Sequence, residues 1–235
     1  MSDYSNDFPR CLSDLNSAIA RISNNDDRYG RILSNTVSLL IKHYHPKGRR
    51  DDFEGYIRSI RTNNLTIFCA TFCKCESLEN LNVLNYWDVS NGTDFEYMFS
   101  ECKFLKDISG LSNWNVSKGI NFMNMFHECE YLKNIEPLSH WNVSNGTNFC
   151  GMFWGCESLE TLEGLSHWDV SKGTNFYGMF YGCDHIMDIS PLANWTVPRK
   201  YDVKWMFIIH GETILPENIS QDQIDWLNIN IKRHD

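Results

Sequence analysis

The chain has 235 residues, of which 42% are hydrophobic and 14% aromatic, and its formal net charge is −9. This composition is sufficient for a continuous apolar core in one or two domains. The acidic balance disfavours nucleic-acid binding, which needs a cationic surface. No stretch approaches the roughly 20 consecutive apolar residues that cross a bilayer, and the N-terminus lacks the apolar segment of a secretory signal. We therefore expect no nucleic-acid partner and no membrane insertion.

Residues 1–64 lack the repeat that follows them, and their pattern predicts a helical N-terminal cap. Apolar residues at helical spacing predict one helix over residues 12–22 and a second over 26–41. A third short helix is predicted over residues 51–60. A cap at this end would cover the apolar core that the first unit of a repeat array otherwise exposes.

A 27-residue period fills the middle of the chain, residues 65–197. Every copy places a Trp and a Cys at the same two positions. The Trp column is Trp87, Trp114, Trp141, Trp168 and Trp195, and the Cys column is Cys75, Cys102, Cys129, Cys156 and Cys183. Self-similarity at this period predicts stacked units that share one core, and therefore an elongated solenoid with regular outer surfaces.

The third copy predicts the elements of one coil. Apolar residues at helical spacing predict a short helix over residues 121–132 with one buried stripe. A short strand is predicted around residues 133–136, and Ser144-Asn145-Gly146-Thr147 predicts a turn. We thus expect an α/β solenoid of about five coils, each with one strand, one turn and one short helix.

Residues 198–235 predict a C-terminal cap. Pro198 replaces the serine of the repeat and ends the regular pattern, and residues 205–207 look like a sixth, decaying helix. A last helix is predicted after Ser220, which would cap it. The apolar residues of that helix are Ile224, Trp226 and Leu227.

The repeat motif, FxxMFxxCxxLxxIxxLxxWxVSxGT, resembles the BspA-like leucine-rich repeats of mycoplasma lipoproteins, some protists and giant DNA viruses. Trp168-Asp169-Val170-Ser171 and Tyr177-Gly178-Met179-Phe180-Tyr181-Gly182-Cys183 carry the resemblance most closely. It covers about residues 65–207 and implies a leucine-rich-repeat solenoid that serves adhesion or protein binding. It implies no catalytic residues and no cofactor.

The chain differs from bacterial BspA-like proteins because it has no signal peptide or lipobox. We therefore expect an intracellular protein, or a minor capsid or other component of a giant-virus particle, whose partners are other proteins. The alternative is a cell-surface adhesin or ligand-binding receptor of the BspA type. A secretory signal, or glycan on the Asn-x-Ser/Thr sequons of the turns, would favour this alternative.

The Cys and Trp columns are expected to be core. Buried, reduced cysteines pack as small hydrophobic residues, and only Cys73 and Cys75 lie close together as a metal-type pair. A metal- or redox-responsive Cys column remains the alternative. An aromatic binding stripe is the alternative for the Trp column, whose indole N–H groups need partners, such as turn carbonyls, when buried.

Two polar columns have a structural and a functional interpretation. His140 and His167 occupy equivalent positions, and they are either turn residues or a metal or pH-sensing pair. A second column precedes the predicted helices and is expected to cap them, rather than to supply a pair of catalytic carboxylates. Its members are Asp94, Asn121, Asn148, Asn175 and Asp202.

The outward positions that vary between copies are the candidate protein-binding residues, because the core demands nothing specific there. Those beside the predicted strands are Lys106, Asp107, Lys133, Asn134, Glu136, Glu160, Thr161, Glu163 and Asp188. Trp154, Tyr177 and Tyr181 are aromatic candidates of the kind enriched in interfaces. Lateral packing on the helix layer is their alternative role. The chain has no phosphate loop, GxSxG or HExxH motif, and we predict no enzymatic activity.

Overall fold

The structure is a computed structural model that describes residues 55, 57–198, 206–209, 212–213, 220–230 and 232–234. The first two predicted helices of the N-terminal cap lie outside these residues. Within the third, residues 57–59 are helical, and Ile57 and Ile60 are buried. The carbonyl of Ile57 accepts a hydrogen bond from the indole of Trp87 at 2.9 Å, which attaches this helical end to the first coil.

Successive 27-residue units are stacked, with equivalent residues opposite one another. Isolated parallel bridges join Asp94 to Asn121, Asn121 to Asn148, and Asn148 to Asn175. Each of these pairs is one period apart in the sequence. The stacking therefore depends on backbone hydrogen bonds between neighbouring coils, as in other repeat architectures.

Each described coil contains one 3-10 helix that contributes a leucine to the core. These helices span Asn82–Tyr86, Ser109–Leu111, Glu136–Leu138, Glu163–Leu165 and Ser190–Asn194. Each buries one leucine, and these leucines are Leu84, Leu111, Leu138, Leu165 and Leu192.

The segment predicted as a strand at residues 133–136 is not one: it is irregular up to Ile135, and the 3-10 helix starts at Glu136. The physical reason lies in the spacing of its buried residues. Leu132, Ile135 and Leu138 are three residues apart, which matches the three residues per turn of a 3-10 helix. A half-buried strand would instead bury every second residue.

The segment predicted as a helix at residues 121–132 is a series of turns, and the equivalent segment of each described coil has the same form. In the preceding copy, Phe95, Tyr97, Phe99 and Glu101 donate their N–H groups to the next coil over 2.6–2.9 Å. The N–H groups of Met98 and Ser100 close tight turns within the coil. Turns form here instead of a helix, because alternate N–H groups donate to the neighbouring coil and not to a carbonyl four residues earlier.

Left-handed backbone conformations also exclude a helix from these stacked turns. Two residues in each described copy have positive φ, four positions apart. They are Ala70 and Lys74, Tyr97 and Glu101, Asn124 and Glu128, Gly151 and Gly155, and Gly178 and Gly182.

The core consists of identical side chains stacked from coil to coil. Phe95, Phe122 and Phe149 stack with ring centroids 5.5 Å apart. Trp141 stacks on Trp114 and Trp168 at 6.3 and 6.4 Å. These columns belong to one continuous cluster of buried residues, so the described coils share a single core.

The described part of the C-terminal region closes the other end of the stack. Strand β1 (Thr196–Pro198) pairs in parallel with β4 (Lys232–His234), and β2 (Ile208–Ile209) pairs antiparallel with β3 (Glu212–Thr213). Helix α1 (Gln221–Asn230) contacts the last 3-10 helix.

Several predictions for this region can be compared with the structure. Helix α1 follows Ser220, as predicted, and buries Ile224 and Leu227. Met206 and Phe207 form a buried 3-10 turn rather than a helix of the predicted kind, while Trp205 lies outside the described residues. The N–H of Phe180 donates to the carbonyl of Met206 at 2.7 Å, so the stacked turns continue into this sixth copy.

Candidate functional site

The Trp column lies in the core, and its indole N–H groups form hydrogen bonds within the protein. Each indole N–H donates to the carbonyl of a residue 30 positions earlier, over 2.8–3.0 Å. In four of the five cases that residue is the buried leucine of the preceding 3-10 helix, as for Trp141 and Leu111. This arrangement satisfies both buried groups and leaves the column no free face for a ligand.

The Cys column is buried, and its thiols are poorly reactive. Cys102, Cys129, Cys156 and Cys183 each donate a thiol hydrogen bond to a phenylalanine carbonyl of the preceding coil, over 3.0–3.2 Å. Burial raises the pKa of all four thiols well above the usual range. A protonated, enclosed thiol is a poor nucleophile and a poor metal ligand.

No group of three or more His, Cys, Asp or Glu side chains in the part of the chain that the structure describes could hold a metal ion. Cys73 and Cys75 are both free thiols, and their contact is a 3.9 Å hydrogen bond from Cys75 Sγ to the Cys73 carbonyl. His140 and His167 are exposed. His167 lines an open hollow of about 430 Å³ together with Ser166, Asp169, Asn194 and Thr196.

The polar column before the stacked turns caps turns instead of helices. Asp94, Asn121, Asn148 and Asn175 each accept, through the side-chain oxygen, the N–H of the residue two positions later, at 3.0–3.2 Å. These are Asx turns, and they replace the predicted helix caps because no helix follows. Asp202 lies outside the described residues.

Four of the predicted binding residues also have this structural role. Asp107, Asn134, Thr161 and Asp188 accept the N–H two positions later, over 2.8–3.2 Å. They therefore start the 3-10 helices. Sequence reasoning missed this role, although the recurrence of an oxygen-bearing side chain two residues before the helix was the available signal.

The other candidates beside the 3-10 helices are exposed. Lys133 and Glu160 form an ion pair at 3.0 Å, while Lys106 lies 5.9 Å from the ring centroid of Tyr131. Glu136 and Glu163 point outward and are exposed. The set is thus dispersed along one side of the stack and does not converge on a pocket.

Two of the three aromatic candidates, Trp154 and Tyr181, are in contact. The rings of Trp154 and Tyr181 meet edge to face, with centroids 5.3 Å apart, and His127 packs on Trp154 at 5.2 Å. Burial lowers the pKa of His127, so its ring is neutral at pH 7. Tyr177 belongs to a different column, one period after Cys150, and is half-buried.

An open groove of about 350 Å³ lies beside Trp154 and Tyr181. Its floor includes Gly155 and Gly182, and carboxylates predominate on its other side. The charged lining residues are Lys103, Glu128, Glu130, Glu157 and Asp184. Lys103 is bound to Glu130 at 2.8 Å, and this contact raises the pKa of the lysine. The groove is therefore aromatic on one side and acidic on the other.

The structure also exposes an aromatic pair that sequence reasoning did not single out. Phe104 and Tyr131 stack with centroids 5.4 Å apart, and each is 46% exposed. Their positions are one period apart, and this was the signal that could have identified them.

None of the described helices is long and apolar enough to span a membrane. The comparisons with known proteins agree with the repeat pattern. The family model described as "Mycoplasma protein of unknown function, DUF285" matches residues 47–136 and again residues 110–213. No curated protein and no solved structure matches the chain. Because the family model covers well over half of the sequence, the chain belongs to the DUF285 family, which is of the BspA-like repeat type.

Proposed function

We propose that this protein is a non-catalytic scaffold that binds other proteins within a larger assembly. The observation that carries the proposal is the contrast between inner and outer columns. Inner columns repeat the same residue in each coil, as the Trp and Cys columns do. The exposed column of Lys133, by contrast, contains Glu79, Lys106, Glu160 and Met187. A constant core with a varied surface is typical of repeat proteins that recognise macromolecules.

The proposal also makes the family assignment and the fold more specific than membership of the DUF285 family does. The chain is a BspA-like leucine-rich-repeat solenoid of the kind found in mycoplasma lipoproteins and giant viruses. Parallel bridges between equivalent residues of successive coils and the buried leucine of each 3-10 helix support this assignment. In such a solenoid, recognition depends on the complementarity of a preformed outer surface.

The absence of catalysis is supported by what the reactive groups do. Four thiols of the Cys column, from Cys102 to Cys183, donate to carbonyls and have raised pKa values. The Asp and Asn oxygens of two columns accept backbone N–H groups. The thiol bonds join neighbouring coils, and the Asp and Asn oxygens hold turns within each coil. The exposed candidates that remain are suited to contact with another surface.

The partners in this proposal are proteins of an intracellular complex or of a virus particle. Residues 65–197 contain 6 lysines and 16 acidic residues, which favours partners with basic surfaces. In its most specific form, which the family resemblance favours, the proposal is that the chain is a structural protein of a giant virus. An adhesin or receptor on a cell surface is the alternative outcome of the test below.

Zero-length cross-linking of the protein in its native source, followed by mass spectrometry, tests the proposal. A carbodiimide joins exposed carboxylates such as Glu157 and Glu163 to lysines of a contacting protein. We expect reproducible links to other proteins of one complex or particle. The purified chain at the same concentration is the control, because it reports links within and between its own copies.

Two results would overturn the scaffold proposal. The first is a chain that carries only internal links in its native source. The second is glycan on the Asn-x-Ser/Thr sequons together with display on a cell surface, which would establish the adhesin alternative.

A further inference from the structure

The groove beside Trp154 exists because two side chains are missing from a column that is otherwise charged. In earlier coils this column contains Lys74, Glu101 and Glu128, and in the later ones Gly155 and Gly182. All five residues have positive φ, so the backbone is the same and only the side chain differs. The two glycines therefore open a space between an aromatic wall and an acidic wall.

In the part of the chain that the structure describes, two carboxylates of the acidic wall lack the lysine partners that carboxylates have in earlier coils. Lys74 pairs with Glu101 at 3.4 Å, and Lys103 pairs with Glu130 at 2.8 Å. Lys103 and Glu130 belong to one column, whose next members are Glu157 and Asp184, and neither of these has a cation within 4.0 Å among the described residues. The last two carboxylates of this column, Glu157 and Asp184, therefore have no lysine partner within the described ranges.

The opposite wall suits a cation as well. Trp154 and Tyr181 are half-buried, and their edge-to-face contact fixes the position of both rings. Indole and phenol faces attract cations through their quadrupole, and Trp does so most strongly. A cationic group in the groove would thus lie beside Trp154 and Tyr181 and near two carboxylates that have no ion pair among the described residues.

We infer that this groove binds an arginine side chain of a protein partner. A planar guanidinium stacks on an aromatic ring and can still bond a carboxylate in bidentate fashion, whereas an ammonium makes a more localised contact. This inference rests on the proposed function and adds the chemistry of the partner, a basic segment that presents arginine.

Fluorescence anisotropy with a labelled peptide of alternating glycine and arginine tests the inference. We expect the full chain to bind this peptide more tightly than the alternating glycine–lysine peptide, and not to bind the glycine–glutamate one. The double variant Glu157→Lys/Asp184→Lys should weaken arginine-peptide binding about tenfold, since two charge pairs become repulsive. Trp154→Leu should weaken it about fivefold through the lost cation–π contact.

A charge-matched variant separates a specific site from general attraction to an acidic protein. Glu136→Lys/Glu163→Lys makes the same change in net charge on the side of the 3-10 helices. We expect it to leave peptide affinity within about twofold of the unchanged chain, because screening weakens exposed charges at a distance. Equal weakening by the two double variants, or no binding by the unchanged chain, would overturn the inference.

Gly182→Lys provides a test that keeps the fold. Lys74 occupies the same column at a φ of 62°, compared with 71° at Gly182, so the substituted side chain fits the backbone. The new ammonium would occupy the groove and pair with its carboxylates. We expect loss of peptide binding with the fold retained and the melting temperature lowered by a few degrees, since a left-handed residue other than glycine costs about 1–2 kcal/mol. Full binding by this variant would contradict the site.

The two proposals can fail separately. If the native partner cross-links only to surfaces outside the groove and Trp154→Leu binds the peptide normally, the arginine site is wrong while the scaffold stands. If the groove binds the peptide but the native source yields internal links alone, the site stands while the scaffold fails.

Discussion

At the residue scale, the polar atoms of the core columns matter as much as their apolar surface. The indoles from Trp114 to Trp195 and the thiols from Cys102 to Cys183 each donate to a carbonyl of the preceding coil. These carbonyls also accept a backbone N–H, that of Trp114 at Leu111 and that of Cys129 at Phe126, so loss of the side-chain donor costs about 0.5–1.5 kcal/mol, the net contribution of one hydrogen bond. Single atoms in these columns therefore contribute measurably to the stability of the stack.

The indole contribution can be measured with Trp141→Phe. This change removes one of the two donors to the Leu111 carbonyl, which still accepts the N–H of Trp114 at 3.0 Å, and it leaves a smaller ring. We therefore expect the free energy of unfolding in urea to fall by about 1–3 kcal/mol. Phe104→Leu, a change at an exposed ring, should shift it by less than about 0.5 kcal/mol. Equal effects of the two variants would show that the indole hydrogen bond contributes nothing.

The buried thiols predict loss of stability in alkali. Burial raises the pKa of Cys156 in the folded state, whereas an unfolded thiol titrates near about 8.5. Above that pH the unfolded chain binds fewer protons than the folded chain, so the free energy of unfolding falls as pH rises. Each such thiol contributes a slope of up to about 1.4 kcal/mol per pH unit.

Urea unfolding of the reduced protein at pH 8, 9 and 10 measures this slope. Cys156→Ala should reduce its magnitude by the contribution of one fully buried thiol, whatever the variant does to stability at neutral pH. Cys73→Ala, at a partly exposed thiol with a smaller rise in pKa, should reduce it less. Identical slopes for the unchanged chain and Cys156→Ala would exclude this linkage.

At the scale of the element, each coil is built from turns and 3-10 helices whose hydrogen bonds reach into the neighbouring coil. Left-handed residues recur four positions apart in the stacked turns, and glycine occupies both sites in two copies. Non-glycine residues in this conformation cost about 1–2 kcal/mol, and the bonds between coils offset that cost. Space beside each site decides which side chains fit.

Gly151 tests this constraint. A Cβ there would lie 2.1 Å from Asn124 Oδ1, and the φ of 58° is left-handed. We expect Gly151→Ala to lower the free energy of unfolding by about 1–3 kcal/mol, measured in urea. In the background of Asn124→Gly the same change should cost less, because the clashing oxygen is gone. Additive effects in this cycle would refute the steric explanation.

At the scale of the whole molecule, one core runs from Ile57 to Leu227, and its C-terminal end is covered by α1. An uncovered repeat presents apolar residues and unpaired backbone groups, which promote end-to-end association. We therefore expect coverage by α1 to keep the stack from growing by addition of further copies.

Leu227→Asp tests this role of α1. A carboxylate in place of a fully buried leucine should detach the helix from the last coil, and we expect oligomers that increase with concentration in size-exclusion chromatography with light scattering. Ile229→Asp is the matched control on the same helix, where the side chain is 82% exposed and should tolerate the change. A monomeric Leu227→Asp variant would mean that α1 does not prevent association.

The arginine site belongs to this scale too, because it combines residues from several coils. Sequence reasoning singled out Trp154 and Tyr181 but grouped them with Tyr177, which belongs to another column. It did not include Glu157 or Asp184. Their position opposite the rings depends on how the chain turns between the two columns, and the repeat pattern carries no information about that turn.

The sequence by itself determined the period, the residues that recur and hence the columns that the structure buries, because only apolar side chains can be stacked without water. It did not determine the local conformation within a coil. The 3.6-residue spacing of residues 121–132 indicates a helix, yet the segment forms turns. Its backbone N–H groups bond to residues one period away, and the choice between local and distant partners is made only when the coils stack.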